Sequence, residues 1–280
     1  MKDVKWWKAA IRNSKSIEDI EWVFRKLWPD RFPKPPRRPL FDFPDVIIHA
    51  SESFVKKHVH YAAAKKGDAE AAGLLVKAAY SREAEEAIRH MSGGKDHVLV
   101  SVHAAEDEGI NAIPDALAKA LAETLNLRIE SGIIQSNVVW HTAADGFGRI
   151  ARQPEFEGDV IPDQKYLIVD DFVGMGGTIA NLKGYIESKG GIVIGVTTLT
   201  GKPYSAKIAL DRNTWQELRD KHGREIEDWW EKKFGHAFDC LTQSEARYLA
   251  RTKDADTIRK RIAAAEQEGD LRGPGRKNED

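Results

Sequence analysis

The chain of 280 residues has one cysteine, Cys240, and only three methionines. A lone cysteine excludes a disulfide framework and a cysteine zinc site, and it suits a reducing compartment. No apolar run approaches the roughly 20 residues that a membrane-crossing helix needs. The first residues, Met-Lys-Asp-Val-Lys-Trp-Trp-Lys, lack the apolar core of a signal peptide. A cytoplasmic protein with no membrane partner is therefore expected. An excess of one charge is missing too: 43 Lys and Arg against 44 Asp and Glu leave a formal net charge of −1. Such a chain has no global basic field to recruit nucleic acid, and no nucleic-acid partner is expected. The basic run Lys34-Pro-Pro-Arg-Arg38 reads as a solvated linker. His58 and His60 stand two apart, which keeps them off one helix face, and no histidine set has metal-ligand spacing. What is present is ordinary globular material, 41% hydrophobic, in a chain long enough to bury a substantial core.

Five segments follow from the pattern. Residues 1–45 read as a helical extension and a strap: Trp6, Ala10, Ile17, Ile20, Val23, Phe24 and Leu27 make an apolar stripe, and six prolines fall between Pro29 and Pro44. Residues 46–92 read as a short strand at Val46–His49 followed by helices, one from Tyr61 through Val76 and one from Ser81 to His90. Residues 93–202 carry an α/β alternation. Strands are expected at Val98–Val102, 138–140, 166–170 and Ile192–Leu199, with helices at Ile113–Leu125 and about 178–189. That order predicts an α/β fold, a mostly parallel sheet flanked by helices. Residues 203–268 turn helical, with Thr214 and Ser244 as candidate caps, and residues 269–280 read as a disordered tail.

The richest stretch is Lys165-Tyr-Leu-Ile-Val-Asp-Asp-Phe-Val-Gly-Met-Gly-Gly-Thr178. Leu167, Ile168 and Val169 form the apolar run of a strand buried on both faces. Asp170 and Asp171 then stand at its carboxyl end, where open α/β sheets bind ligands. Gly174, Gly176 and Gly177 let a tight turn bring backbone N–H groups close to an anion. Thr178 stands at the mouth of a helix, whose unpaired N–H groups and dipole favour a phosphate. The glycine spacing does not fit a Rossmann fingerprint, and Thr178 stands where a P-loop needs lysine. The same residues also admit a bland reading, a helix cap followed by an ordinary loop.

These residues closely resemble the phosphoribosyl-pyrophosphate (PRPP) motif of type I phosphoribosyltransferases. The resemblance implies a type I phosphoribosyltransferase-like core and a Mg²⁺-dependent transfer of 5-phosphoribosyl to an acceptor, with pyrophosphate released. It implies that Asp170 and Asp171 hold the ribose hydroxyls. The loop Gly174, Met175, Gly176, Gly177 and Thr178 would cradle the 5-phosphate. The family usually has hydroxyl residues where this chain has Gly174 and Met175, so backbone alone must make at least one phosphate contact. Mg²⁺ would be carried mainly on PRPP and pyrophosphate oxygens, with no protein metal site. The pyrophosphate loop corresponds to Val102–Asn111, where Gly109 and Asn111 are the better candidates than the acids Glu106 to Glu108. A mobile cover corresponds to 140–152, with Gly146 and Gly148 as hinges, Arg149 and Arg152 closing over the ligand, and His141 and Asp145 as acid–base candidates. Lys202, in Gly201-Lys-Pro-Tyr204 after the last core strand, would help wall the acceptor pocket. PRPP and an acceptor are the implied partners, and a homodimer is compatible with the family. Two rivals stand beside this reading: a regulatory protein that senses PRPP or a nucleotide without turnover, and a partner-dependent effector using the tryptophan-rich N-terminal segment.

Overall fold

The computed structural model describes residues 20, 24, 34, 36–93, 97–102, 105–106, 109–137 and 145–271. The expected N-terminal helix (apart from Ile20 and Phe24, both helical), the strand at 138–140, His141 and residues 272–280 lie outside the described residues. In chain order the elements are β1 (Ile47–Ser51), α1 (Glu52–Lys57), α2 (Tyr61–Lys65), α3 (Ala69–Ala79), α4 (Arg82–Ser92), β2 (His97–Ser101), β3 (Ala105–Glu106), β4 (Gly109–Ile110) and α5 (Ile113–Leu125). Then come β5 (Arg128–Glu130), β6 (Ile134–Gln135), α6 (Gly146–Ala151), β7 (Phe156–Glu157), β8 (Lys165–Val173), α7 (Gly177–Ser188) and β9 (Ile192–Gly201). The chain ends with α8 (Arg212–His222), α9 (Arg224–Phe234), α10 (Gln243–Ala250) and α11 (Ala255–Leu271).

Five strands form one sheet in the order β1-β9-β8-β2-β5, and every pairing in it is parallel. β8 is the middle strand. Its alternation sorts the core: Leu167 and Val169 pack with α3 and α5 on one face, while Tyr166 and Ile168 pack with α7 on the other. Burial on both faces is why this strand reads as a continuous apolar run rather than an alternating one. A third apolar cluster gathers α6 with α8 to α11 around Trp230 and Phe238, both fully buried. The C-terminal helices therefore build a core of their own against the segment that precedes β7.

Several local expectations change. The helix expected from Tyr61 through Val76 is two, α2 and α3, because the chain turns at Gly67 and restarts under the Asp68 side chain, which accepts from Ala71 N. Helix α8 begins earlier than expected, since Asp211 rather than Thr214 caps it. Helix α10 starts at Thr242, not Ser244: Thr242 and Glu245 form a reciprocal capping box that satisfies two N–H groups at once. The final helix runs to Leu271, so the tail expected from residue 269 begins inside it. Gly269 only weakens a helix, and Pro274 is the first residue that forbids one.

Candidate functional site

The aspartate doublet lies in the centre of the sheet. Pairing of β2 with β8 ends at Ser101 and Val169, and Val102 N makes a last bond to Val169 O, 2.9 Å. On the other side β9 stays paired through Val173 and Gly201. The strand thus outlasts the doublet by two residues, and its β2 edge is released just where the carboxylates begin. That one-sided opening makes the crevice of an open α/β sheet.

The two carboxyl groups are close neighbours, each in reach of the other. Asp171 faces α2, where Lys65 Nζ stands 3.2 Å from its Oδ2. Asp170 is buried, and its Oδ1 accepts from Asp171 N at 2.8 Å. Burial, and then the neighbouring charge of Asp171, push the Asp170 carboxyl well above the usual carboxylate range. The doublet is therefore unequal: Asp171 is tied to Lys65, and Asp170 holds its proton more readily than an ordinary carboxyl. Sequence reasoning missed Lys65, which is 106 residues from its partner and gives no local signal.

Beyond β8 the turn Gly174–Gly176 leads into α7. Gly176 has φ 81°, a left-handed conformation that glycine alone adopts without strain, and it is the N-cap residue. No side chain caps this helix end. Its first N–H groups are left to solvent or a ligand, and a helix N-terminus of that kind favours an anion. Thr178 is half-buried, and its hydroxyl has no hydrogen-bond partner among the described residues. The rear of the turn is fixed instead. Thr242 Oγ1 donates to Met175 O at 2.5 Å. A Cβ on Gly177 would meet Glu245 Oε1 at 2.8 Å. Glu245 is in turn held by Arg37 from the strap, at 2.7 and 3.0 Å. The C-terminal helices and the strap thus brace one side of the phosphate-loop candidate.

A cavity of about 680 Å³ opens beside this turn. Phe172, Gly174 and Met175 of the motif form its floor, with Lys202 and Tyr204 after β9 and with Glu52 and Lys56 of α1. Helix α6 contributes Gly146 and Arg149, and α10 with its C-cap residue contributes Ser244, Arg247, Tyr248 and Arg251. Positions 244, 247, 248 and 251 are one face of a helix, a spacing that was visible in the sequence. Five cations and one acid make the wall strongly positive. Glu52 is ion-paired with Lys56 Nζ at 2.5 Å, and Lys56 stands 4.7 Å over the Phe172 ring.

The residues singled out from sequence divide accordingly. Gly174, Met175, Arg149 and Lys202 meet around the cavity, and Gly176, Gly177 and Thr178 continue the same turn. Arg152 turns back on α6, its Nε donating to Gly148 O at 3.0 Å. Asn111 is buried, and its Oδ1 accepts from Ile113 N at 3.2 Å, which places it at the start of α5. Gly109 pairs with Glu106 in a two-stranded hairpin. Gly146 and Gly148, read as hinges, lie inside α6. Gly146 has no side chain because the Tyr248 ring lies against it: a Cβ there would stand 2.4 Å from Tyr248 Cζ. Asp145 serves as the α6 N-cap, accepting from Gly148 N at 2.8 Å.

No family model matches the chain. It is 40% identical over 232 residues to Protein TraN of Escherichia coli, a match covering 83% of this chain and 52% of TraN. It is 39% identical over 181 residues to an uncharacterised protein of Haemophilus influenzae, covering 64% of this chain and 38% of that protein. The chain therefore spans about half, or less, of the length of these curated relatives. Among solved structures, adenine phosphoribosyltransferase from Thermoanaerobacter pseudethanolicus aligns with a TM-score of 0.33 and 19% identity, over 52% of this chain and 76% of that one. That degree of likeness is too low to bear on fold or function.

Proposed function

We propose that this chain is a type I phosphoribosyltransferase-like protein that binds PRPP and transfers its 5-phosphoribosyl group to an acceptor, releasing pyrophosphate. One observation carries the reading. An aspartate doublet at the released edge of the central strand is followed at once by a glycine turn and by a helix N-terminus that no side chain caps. Carboxylates suit a diol, and open amides suit a phosphate. In this reading Asp170 and Asp171 hold the ribose hydroxyls. The 5-phosphate rests on the amides from Gly174 to Thr178, with the Thr178 hydroxyl added. Gly109 and Asn111 belong to the loop that receives pyrophosphate.

The reaction breaks the bond from the anomeric carbon to pyrophosphate oxygen and forms one to an acceptor nucleophile, which gives up its proton. Positive charge grows on the ribose, and negative charge grows on the leaving group. The doublet lies beside that growing positive charge, and Lys65 keeps Asp171 in place rather than free to act as a base. Arg149 and Arg152 were the candidates for closing over the ligand. Arg149 is the better situated, since it lines the cavity next to Gly174. Lys202 and Tyr204 form the acceptor side of the wall.

Among the described residues no group of three or more His, Cys, Asp and Glu side chains converges as a metal cage. The doublet offers only carboxylate oxygens, one of which, Asp171 Oδ2, already faces Lys65. Such a donor set fits a Mg²⁺ ion carried on the substrate's own oxygens, with the doublet as its nearest protein anions. Bound there, the ion would offset the charge of the departing pyrophosphate.

A sensor that binds PRPP or a nucleotide without turnover remains the second reading, favoured by Gly174 and Met175, which supply no hydroxyl to the phosphate. Incubation with PRPP, Mg²⁺ and a panel of bases, reading pyrophosphate release, separates the two. Release with one acceptor supports the transferase. Tight PRPP binding with no release under any acceptor supports the sensor, and no PRPP binding at all sinks both.

A further inference from the structure

The cavity holds more positive charge than the PRPP reading uses. Glu52 and Lys56 neutralise each other, and Arg149 and Lys202 flank the motif turn. Arg247 and Arg251 are left over. Arg247 is on α10 and Arg251 is its C-cap residue one turn on, and among the described residues neither guanidinium makes an ion pair or hydrogen bond. Both stand at the C-terminal end of the helix, where its dipole favours cations, so a basic residue there is expected; what the dipole does not require is that both open onto the cavity. Between them lies Tyr248, held edge-on by Phe147 at 5.0 Å and 67°. Across the cavity stands Tyr204, 60% exposed. Two rings and two unpartnered guanidiniums suit a flat ligand that carries an anion, because guanidinium forks match carboxylate and phosphate and stack on planar groups.

Topology separates this wall from the leaving group. In the sheet order the β2 loop lies on one flank of β8, and β9 and β1 lie on the other. Apart from the motif turn and α6, the cavity is lined by segments that follow β1 and β9, so its wall of Lys202, Tyr204, Arg247 and Arg251 stands on the flank away from the candidate pyrophosphate loop. Displacement at the anomeric carbon needs nucleophile and leaving group on opposite sides. We infer that the acceptor is a planar compound bearing a fixed negative charge, seated between Tyr248 and Tyr204 with its anion on Arg247 and Arg251. This identity of the acceptor rests on the transferase reading, while the anion preference of the cavity can be measured without it.

The test uses the full chain and three probes matched in shape: benzoate, phenyl phosphate and benzamide, titrated by calorimetry without PRPP. At least one anion should bind tenfold or more tightly than benzamide, and which anion is tighter tells carboxylate from phosphate. The double variant R247Q/R251Q should bring the probes within threefold of each other, while R247K/R251K should keep part of the preference. Both arginines are exposed, so neither variant threatens folding. Equal binding of benzamide and the anions, no binding of any probe, or an undiminished preference in R247Q/R251Q would overturn the inference. A parallel PRPP titration keeps the two ideas apart. Anion preference without PRPP binding sinks the transferase reading and the acceptor role with it, leaving an anion site of another use, and PRPP binding without anion preference sinks only this inference.

Discussion

Arg37 offers the sharpest test of how the site is braced. Its guanidinium makes two bonds to Glu245, at 2.7 and 3.0 Å, with side-chain exposures of 1% and 3%. Its Nε donates to Asn181 on α7. Glu245 accepts besides from Thr242 N at 3.0 Å. Arg37→Met would leave that carboxylate buried with one backbone donor. An exposed ion pair is worth only about 0.2–1 kcal/mol, whereas removing one member of a buried pair costs about 3–5 kcal/mol. Burial decides for the larger figure. Set against a total stability of about 5–15 kcal/mol, the loss should lower Tm by on the order of 6–20 °C. The companion change Glu245→Gln in the same chain should recover most of it, because the stranded charge is gone. Urea unfolding of the four proteins in a double-mutant cycle reads both numbers. A loss under about 1 kcal/mol in Arg37→Met, or a double variant no better than the single, would refute the reasoning. Since Glu245 and Thr242 also brace Gly177 and Met175, Arg37→Met should weaken PRPP binding under conditions where it is still folded.

Three further outcomes are expected. Asp171→Asn should weaken PRPP binding by about 1.5–3 kcal/mol, and Thr178→Ala by about 1 kcal/mol, as lost charge-assisted and hydroxyl contacts; titration calorimetry showing unaltered binding in both would remove the site assignment. Asp170→Asn should stabilise the fold near neutral pH while harming ligand binding. With its folded pKa raised, Asp170 carries its proton at no penalty below the unfolded carboxylate value, and stability is lost as pH rises through the folded value; urea unfolding should show the gain shrinking to nothing below about pH 4, and a gain independent of pH would contradict this. Gly146→Ala would drive a methyl against the Tyr248 ring, 2.4 Å from Cζ. Overpacking at about 1–3 kcal/mol should outweigh the helix-propensity gain of about 0.5–1 kcal/mol, and a raised Tm would show that the ring moves freely.

The strand and the turn of the motif were legible because each needs a distinctive residue type: a continuous apolar run, and glycines. Helix α5 was legible for a similar reason, since Ile113, Leu117, Leu121 and Leu125 all fall in the core. Caps were harder. Asp211 outcompeted Thr214 for α8, and Ser244 drew attention from Thr242 although Thr-x-x-Glu is a capping-box pattern. The cationic wall was only half visible. Lys202 and Tyr204 follow a core strand directly, but Arg247, Tyr248 and Arg251 reach the cavity by tertiary packing. Long-range pairs such as Lys65 with Asp171 and Arg37 with Glu245 have no local signature at all, because only the fold brings them together.

The central claim is that a sugar phosphate seats in the bend between Asp171 and Thr178. A crystal soaked with ribose 5-phosphate tests it most directly. The phosphate should lie on the N-terminus of α7 within hydrogen-bond reach of Thr178 Oγ1, with the ribose hydroxyls toward Asp170 and Asp171. Density at another place on the molecule, or none at saturating ligand, would contradict the account.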